Sequence, residues 1–228
     1  MIKFICGDIM RKSEKLNIIY EDKDILVVNK PSKLLTIATD NEKERTLFHK
    51  AITYVKKKNQ KIFIVHRLDK DTSGIVLFAK NEKLKKLFQD NWDNLVKVRE
   101  YIAVVEGVPK KNSGVVRSWL KETKTLYVYS SDKMGDGKEA ITHYRKVMGN
   151  NKYTMLDITI DTGRKNQIRV HMKDLGNPIV GDKKYDSKTN PIGRMTLHAN
   201  KLVIIHPITN KEMTFETDVP NSFIKLCE

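Results

Sequence analysis

The chain has 228 residues, enough for one large domain or two small ones with a real hydrophobic core. Lys and Arg outnumber Asp and Glu 43 to 28, giving a formal charge of +15 and a pI near 9.6. No apolar run reaches the roughly 18 residues of a membrane span, and the first residues are too short and too charged a stretch for a secretory signal.

Cys6 and Cys227 lie near opposite ends and make neither a CxxC pair nor a disulfide framework, which suits a reducing, cytoplasmic setting. The positive excess suits a polyanionic partner, because Lys and Arg contacts to phosphates release counterions. Lysine greatly outnumbers arginine, however, as it would in any lysine-rich proteome. Charge alone therefore gives modest support to nucleic acid.

Residues Ile18 to Pro31 read as a β-hairpin, two apolar runs around the polar Asp22-Lys23-Asp24 turn, with Pro31 ending the second strand by withholding a donor. Thr46 to Asn59 reads as a helix. Thr46 is its cap, and Leu47, Phe48, Ala51, Ile52 and Val55 stand at helical spacing. Two further apolar runs, Ile62 to Val65 and Ile75 to Phe78, read as strands. Between them stands His66-Arg67-Leu68-Asp69-Lys70-Asp71-Thr72-Ser73-Gly74, more ionisable chemistry than a turn needs. On pattern alone it reads equally as a solvated turn, since Asp, Thr, Ser and Gly all have ordinary turn duties.

Asn81 to Asn94 reads as a second helix, with Leu84, Leu87, Phe88 and Trp92 as a core-facing stripe. Lys97 to Gly107 reads as a strand. From 115 to 160, period-two alternation marks four strands, at Val115–Leu120, Thr125–Tyr129, Ala140–Tyr144 and Tyr153–Ile160, spaced closely enough to favour antiparallel pairing. Thr162 to Met172 opens a short helix with Ile168, Met172 and Leu175 on one face and Gly176 as its end; Arg169 projects from another face, beside Asn166 and Lys173. Pro220 to Leu226 reads as a last helical turn. The expected fold is α+β: a mixed, mainly antiparallel sheet with flanking helices.

HRLDKDTSG followed by GIVLFAK closely resembles the signature of the RluA-type pseudouridine synthases, enzymes that isomerise uridine in RNA. The resemblance runs from about residue 18 to residue 220 and includes the hairpin ending in Lys30-Pro31. It also takes in the strand to Tyr101 ending Glu106-Gly107, and Thr162-Gly163-Arg164 with Gln167-Ile168-Arg169-Val170-His171. Asn177 to Tyr185, Leu197-His198-Ala199 and His206 to Thr209 match later segments. Two positions depart from the pattern. Lys33 stands where a Gly is usual, which questions a tight turn there; it reads as a plain surface residue ahead of a phosphate contact. Asn166 stands where many members have His, and it cannot titrate. About 17 residues precede the first motif, too few for the small RNA-binding domain that many relatives carry. Residues 1–17 are thus expected to be an extension and 18–228 the catalytic domain.

The resemblance implies a reaction without redox change, so no redox cofactor, and names the residues. Asp69 is the essential carboxylate, as nucleophile or as base. Arg169 is its cationic partner, and the pair should matter to folding as well as activity. Tyr101 contacts the base or takes the carbon 5 proton, and its ring suits stacking on an extruded nucleobase. Arg67 fills the space the base leaves, or meets a phosphate or an acid. Arg164 and Leu197 are further substrate contacts, Leu197 as an apolar wall. His66 reads as structural and Asp71 as a turn former. None of the six histidines pairs at zinc-type spacing with another His or a Cys, so no metal is expected. The partner is RNA, a ribosomal or transfer RNA stem-loop, and a monomer is the default. A catalytically idle RNA-binding protein and a metal-dependent RNA-cleaving enzyme are the competing classes.

Overall fold

A computed structural model describes residues 15–40 and 42–228; Cys6 and most of the expected extension lie outside them. The N-terminal hairpin forms as read, β1 (Ile18–Glu21) antiparallel to β2 (Ile25–Lys30). Its turn is held by Asp22 Oδ1, which accepts from the amides of Asp24 and Ile25, both at 2.7 Å. Next comes α1 (Leu47–Lys56), where Thr46 accepts from the amide of His49 and caps the helix. A two-residue β3 (Phe63–Ile64) pairs antiparallel with β4 (Ser73–Ala79), so the nine-residue stretch at 66–74 connects two strands.

The expected helix over 81–94 divides at Asn91 into α2 (Glu82–Asp90) and α3 (Trp92–Leu95). Asn91 leaves the helical region, at φ −127° and ψ 29°. Then follow β5 (Val96–Glu106), β6 (Ser113–Glu122), β7 (Val128–Ser131), β8 (Lys138–Gly149) and β9 (Tyr153–Ile160). The strand expected from Thr125 starts only at Val128. Thr123 instead builds a turn, its carbonyl accepting from the Leu126 amide and its hydroxyl from the Tyr127 amide. α4 (Gln167–Asp174) begins later than the Thr162 opening suggests, because Thr162 to Asn166 form a turn in which Thr162 Oγ1 donates to Gln167 Oε1. β10 (Leu197–Ile205), β11 (Glu212–Glu216) and α5 (Asn221–Cys227) close the chain.

The eleven strands of the described residues form one sheet in the order β1-β2-β4-β10-β5-β9-β8-β6-β7, with β11 on β10 and β3 on β4. Among the described strands the one parallel pairing is β4 with β10, at Ser73–His198 and Gly74–Ala199. The fold is α+β. β4 is apolar without alternation because both its faces are covered. Val76 and Phe78 meet Leu47, Ala51 and Val55 of α1, while Ile75 and Leu77 meet Leu84 and Phe88 of α2. β5 is likewise sandwiched, Ala103 and Val105 against Ile168 and Met172 of α4, Ile102 and Val104 against Phe223 of α5. The sheet is therefore packed on both faces at β4 and β5, which flank β10.

Candidate active site

The parallel step between β4 and β10 requires close backbone approach. At Gly74, φ is +117°, and a Cβ there would lie 2.1 Å from the Ala199 carbonyl oxygen, so no side chain fits. This draws the end of the 66–74 stretch against β10. The loop is then fixed through its own backbone. Thr36 Oγ1 donates to the Leu68 carbonyl (2.7 Å) and accepts from the Leu68 amide (3.2 Å). Lys30 Nζ donates to the carbonyls of Pro31, Leu34 and Lys70 at 3.1, 2.8 and 3.0 Å, and Ser32 Oγ donates to the Asp71 carbonyl at 2.7 Å. Burial pulls the Lys30 ammonium down to about 7, against the charges of Asp71 and Asp69. The Thr72 amide donates to the Asp69 carbonyl at 3.2 Å, closing a turn that contains Asp71.

Lys33 keeps the left-handed conformation a Gly would take, at φ +65°, so the turn after β2 survives the substitution. His66 is structural as read: its Nε2 accepts from the Leu77 amide at 2.9 Å, and burial, with Arg99 nearby, pushes its pKa down to about 4.

Asp69 ends up 3.5 Å, Oδ2 to Nη1, from Arg169 on α4. Arg169 is more firmly held elsewhere. Its Nε and Nη2 donate to the two oxygens of Asp182 at 2.6 and 2.8 Å, and Asp182 is buried. Nη1 donates to Asn166 Oδ1 at 2.9 Å, and the guanidinium lies 4.9 Å from the Tyr185 ring centre. Burial alone would lower the arginine's pKa, but the bonds and charge of Asp182, with the charge of Asp69, raise it instead. Asn166 sits at φ +57°, a conformation Asn tolerates, and its amide also donates to Tyr185 Oη at 3.0 Å. Lys173, one turn on from Arg169 along α4, faces Asp186 at 3.7 Å.

Arg67, Asp69, Tyr101, Arg164, Arg169 and Leu197 all line one cleft of about 510 Å³. Tyr101 on β5 lies opposite Ala199 of β10, and Leu197 stands two residues before it on the same face. Burial pushes the Tyr101 phenol up to about 12, with Arg99 opposing and Asp69 adding to the rise. Arg67 is exposed, and Arg164 Nε donates to the Glu139 carbonyl at 2.9 Å. The sequence reading left out Asp182, which lay inside a matched segment whose alternation gives no hint of an ion pair. It also placed Trp92 in the core alone. Trp92 packs on the core and lines the cleft as well, its ring 5.2 Å from that of His66.

Two other regions gather polar groups. Behind the loop a cavity of about 930 Å³ is walled by Lys30, Ser73, Arg194 and His198 among others. Its key polar groups are already engaged. Lys30 meets three carbonyls, Ser73 Oγ meets Arg194 Nη2 (2.6 Å) and His198 Nδ1 (2.8 Å), and His198 Nε2 meets Thr217 Oγ1 (2.8 Å). The cavity supports the loop. Asp22, Asp24 and His206 form, among the described residues, a group with metal-ligand chemistry. His206 Nε2 is buried and unpartnered, 3.7 Å from Asp22 and 3.9 Å from Asp24. Its Nδ1, however, accepts from the amides of Ile208 and Thr209, both at 3.3 Å, which puts the proton of the neutral ring on Nε2. A proton, not a lone pair, then faces the acids.

Residues 24–174, more than half of the chain, match the family described as RNA pseudouridylate synthase. The chain is 38% identical over 211 residues to ribosomal large subunit pseudouridine synthase C of Rickettsia felis, covering 90% of this chain and 68% of that protein. It is 32% identical over 219 residues to YhcT of Bacillus subtilis, named as an RNA pseudouridine synthase, covering 93% and 72%. Among solved structures, human RNA pseudouridylate synthase domain containing 4 shares the fold, with a TM-score of 0.74 at 22% identity over 91% of this chain and 90% of that one. On the extent of the family match and on these identities, the chain belongs to the RNA pseudouridylate synthase family.

Proposed function

We propose that this chain converts specific uridines of ribosomal or transfer RNA to pseudouridine in the cleft around Asp69, with the target base swung out of its stack. In that isomerisation the bond from the sugar to N1 breaks and one from the sugar to carbon 5 forms. The carbon 5 proton leaves and N1 regains one, so atoms and electrons balance without an electron acceptor. The observation that carries the reading is the Asp69–Arg169 pair at 3.5 Å in a cleft large enough for a nucleotide. Asp69 supplies the essential carboxylate, and Arg169 faces it with its positive charge. Tyr101, held neutral by burial, offers a stacking face and a donor rather than a ready base. Leu197 packs beside the base, while Arg67 and Arg164 meet the RNA at the mouth. Relatives named for the large ribosomal subunit favour ribosomal RNA over transfer RNA as the substrate.

The test is tritium release from unmodified RNA labelled at uridine carbon 5. Release should continue in a chelator and vanish in Asp69→Asn, while that variant still binds RNA. An RNA-binding protein without activity would release nothing, and a nuclease would shorten the RNA and stop with the chelator.

A further inference from the structure

Arg99 stands two residues before Tyr101 on β5, so both side chains leave the same face of the strand and both line the cleft. The two positions are roughly 7 Å apart along the strand. That is the scale separating a nucleotide's base from its phosphate. Arg99 differs from the other cleft arginine on a structured element. Arg169 spends its donors on Asp182 and Asn166. Arg99 donates through Nη2 to the Asp161 carbonyl, and among the described residues no carboxylate comes within ion-pair distance of it. One anchor leaves the remaining N–H groups of the planar fork without an acceptor among the described residues, in a partly desolvated position. Burial accordingly lowers its pKa. Room for the guanidinium is also provided: a Cβ at Gly163 would lie 2.8 Å from Arg99 Nη1.

We infer that Arg99 binds a phosphate of the nucleotide seated against Tyr101, and that Gly163 is glycine so that the guanidinium can reach it. This rests on the proposed RNA reading. The flanking Thr162 and Arg164 leave the passage open: Thr162 turns its hydroxyl to Gln167, and Arg164 turns Nε to the Glu139 carbonyl. An anion in this position completes the unmet donors of Arg99 and tethers the sugar while the base is detached from it.

The experiment uses the full chain and in-vitro-transcribed ribosomal RNA, tritiated at uridine carbon 5. Wild type, Arg99→Ala, Arg99→Lys and Gly163→Ala are compared for RNA affinity across salt and for KM and kcat of tritium release, with thermal melting as a folding control. Arg99→Ala should weaken binding and raise KM about tenfold, with a smaller change in kcat, and the slope of log affinity against log salt should fall by about 0.7. Arg99→Lys should keep the slope. Gly163→Ala should act in the same direction as Arg99→Ala and add nothing to it in the double variant, because the atom displaced is the tip of Arg99. An unchanged salt slope in a folded Arg99→Ala overturns the inference, as does a loss confined to kcat. If wild type binds RNA with an Arg99-dependent slope yet releases no tritium, the isomerase reading fails and the phosphate contact stands.

Discussion

The two walls of the cleft are built from opposite kinds of chemistry. The loop wall, residues 66–74, is fastened by neutral hydroxyls and one buried ammonium gripping backbone atoms: Thr36 on Leu68, Lys30 on Lys70, Ser32 on Asp71. The helix wall is fastened by a buried charge pair, Arg169 with Asp182, braced by Asn166 and Tyr185. The loop wall presents an acid whose position is set by its backbone. The helix wall presents a cation whose charge is already matched, so that it faces Asp69 from 3.5 Å without having to close on it.

The sharpest way to break that contrast is on the helix wall. Asp182→Asn leaves the guanidinium buried without its main partner and should cost about 3–5 kcal/mol of stability, read in urea unfolding. Tritium release should fall with it, because Arg169 is then free to collapse onto Asp69. On the loop wall Thr36→Val removes two bonds to Leu68 and should cost about 1–3 kcal/mol. Its signature is a drop in kcat in the surviving folded protein, since the backbone that aims Asp69 loosens.

Acid separates the walls in another way. His66 and His198 brace the loop side and His171 the helix side, where it meets Ser118 and Thr142; burial holds all three down to about 4 from 6.5. Between those values the unfolded chain takes up protons that the folded one refuses, so their stabilisation is present above about pH 6.5 and is lost as pH falls through about 4. Melting temperature against pH should fall over that window, and His171→Gln should flatten the fall. The smallest effect is at Lys33. Replacing this left-handed residue with glycine should gain about 0.5–1 kcal/mol in urea unfolding, the relief of strain partly offset by greater freedom of the unfolded chain.

Local pattern made much of this molecule legible. The hairpin, the Thr46 cap, the continuous apolar β4 and the α4 stripe of Ile168 and Met172 follow from periodicity and capping, which act over a few residues. Where a local rule ran past its competitor it failed, at Asn91, which divides a helix, and at Thr123, whose hydroxyl turns the chain before β7 can begin.

The sequence by itself determined the family, the α+β class and the nine-residue string that carries Asp69, because these are properties of neighbouring residues. Only the tertiary structure decided that Asp182 is the first partner of Arg169, that Trp92 faces the cleft, and that Gly163 makes way for Arg99. Each of those brings together residues from separate elements of the fold. Burial and charge pairing act through space, and spacing along the chain carries no record of them.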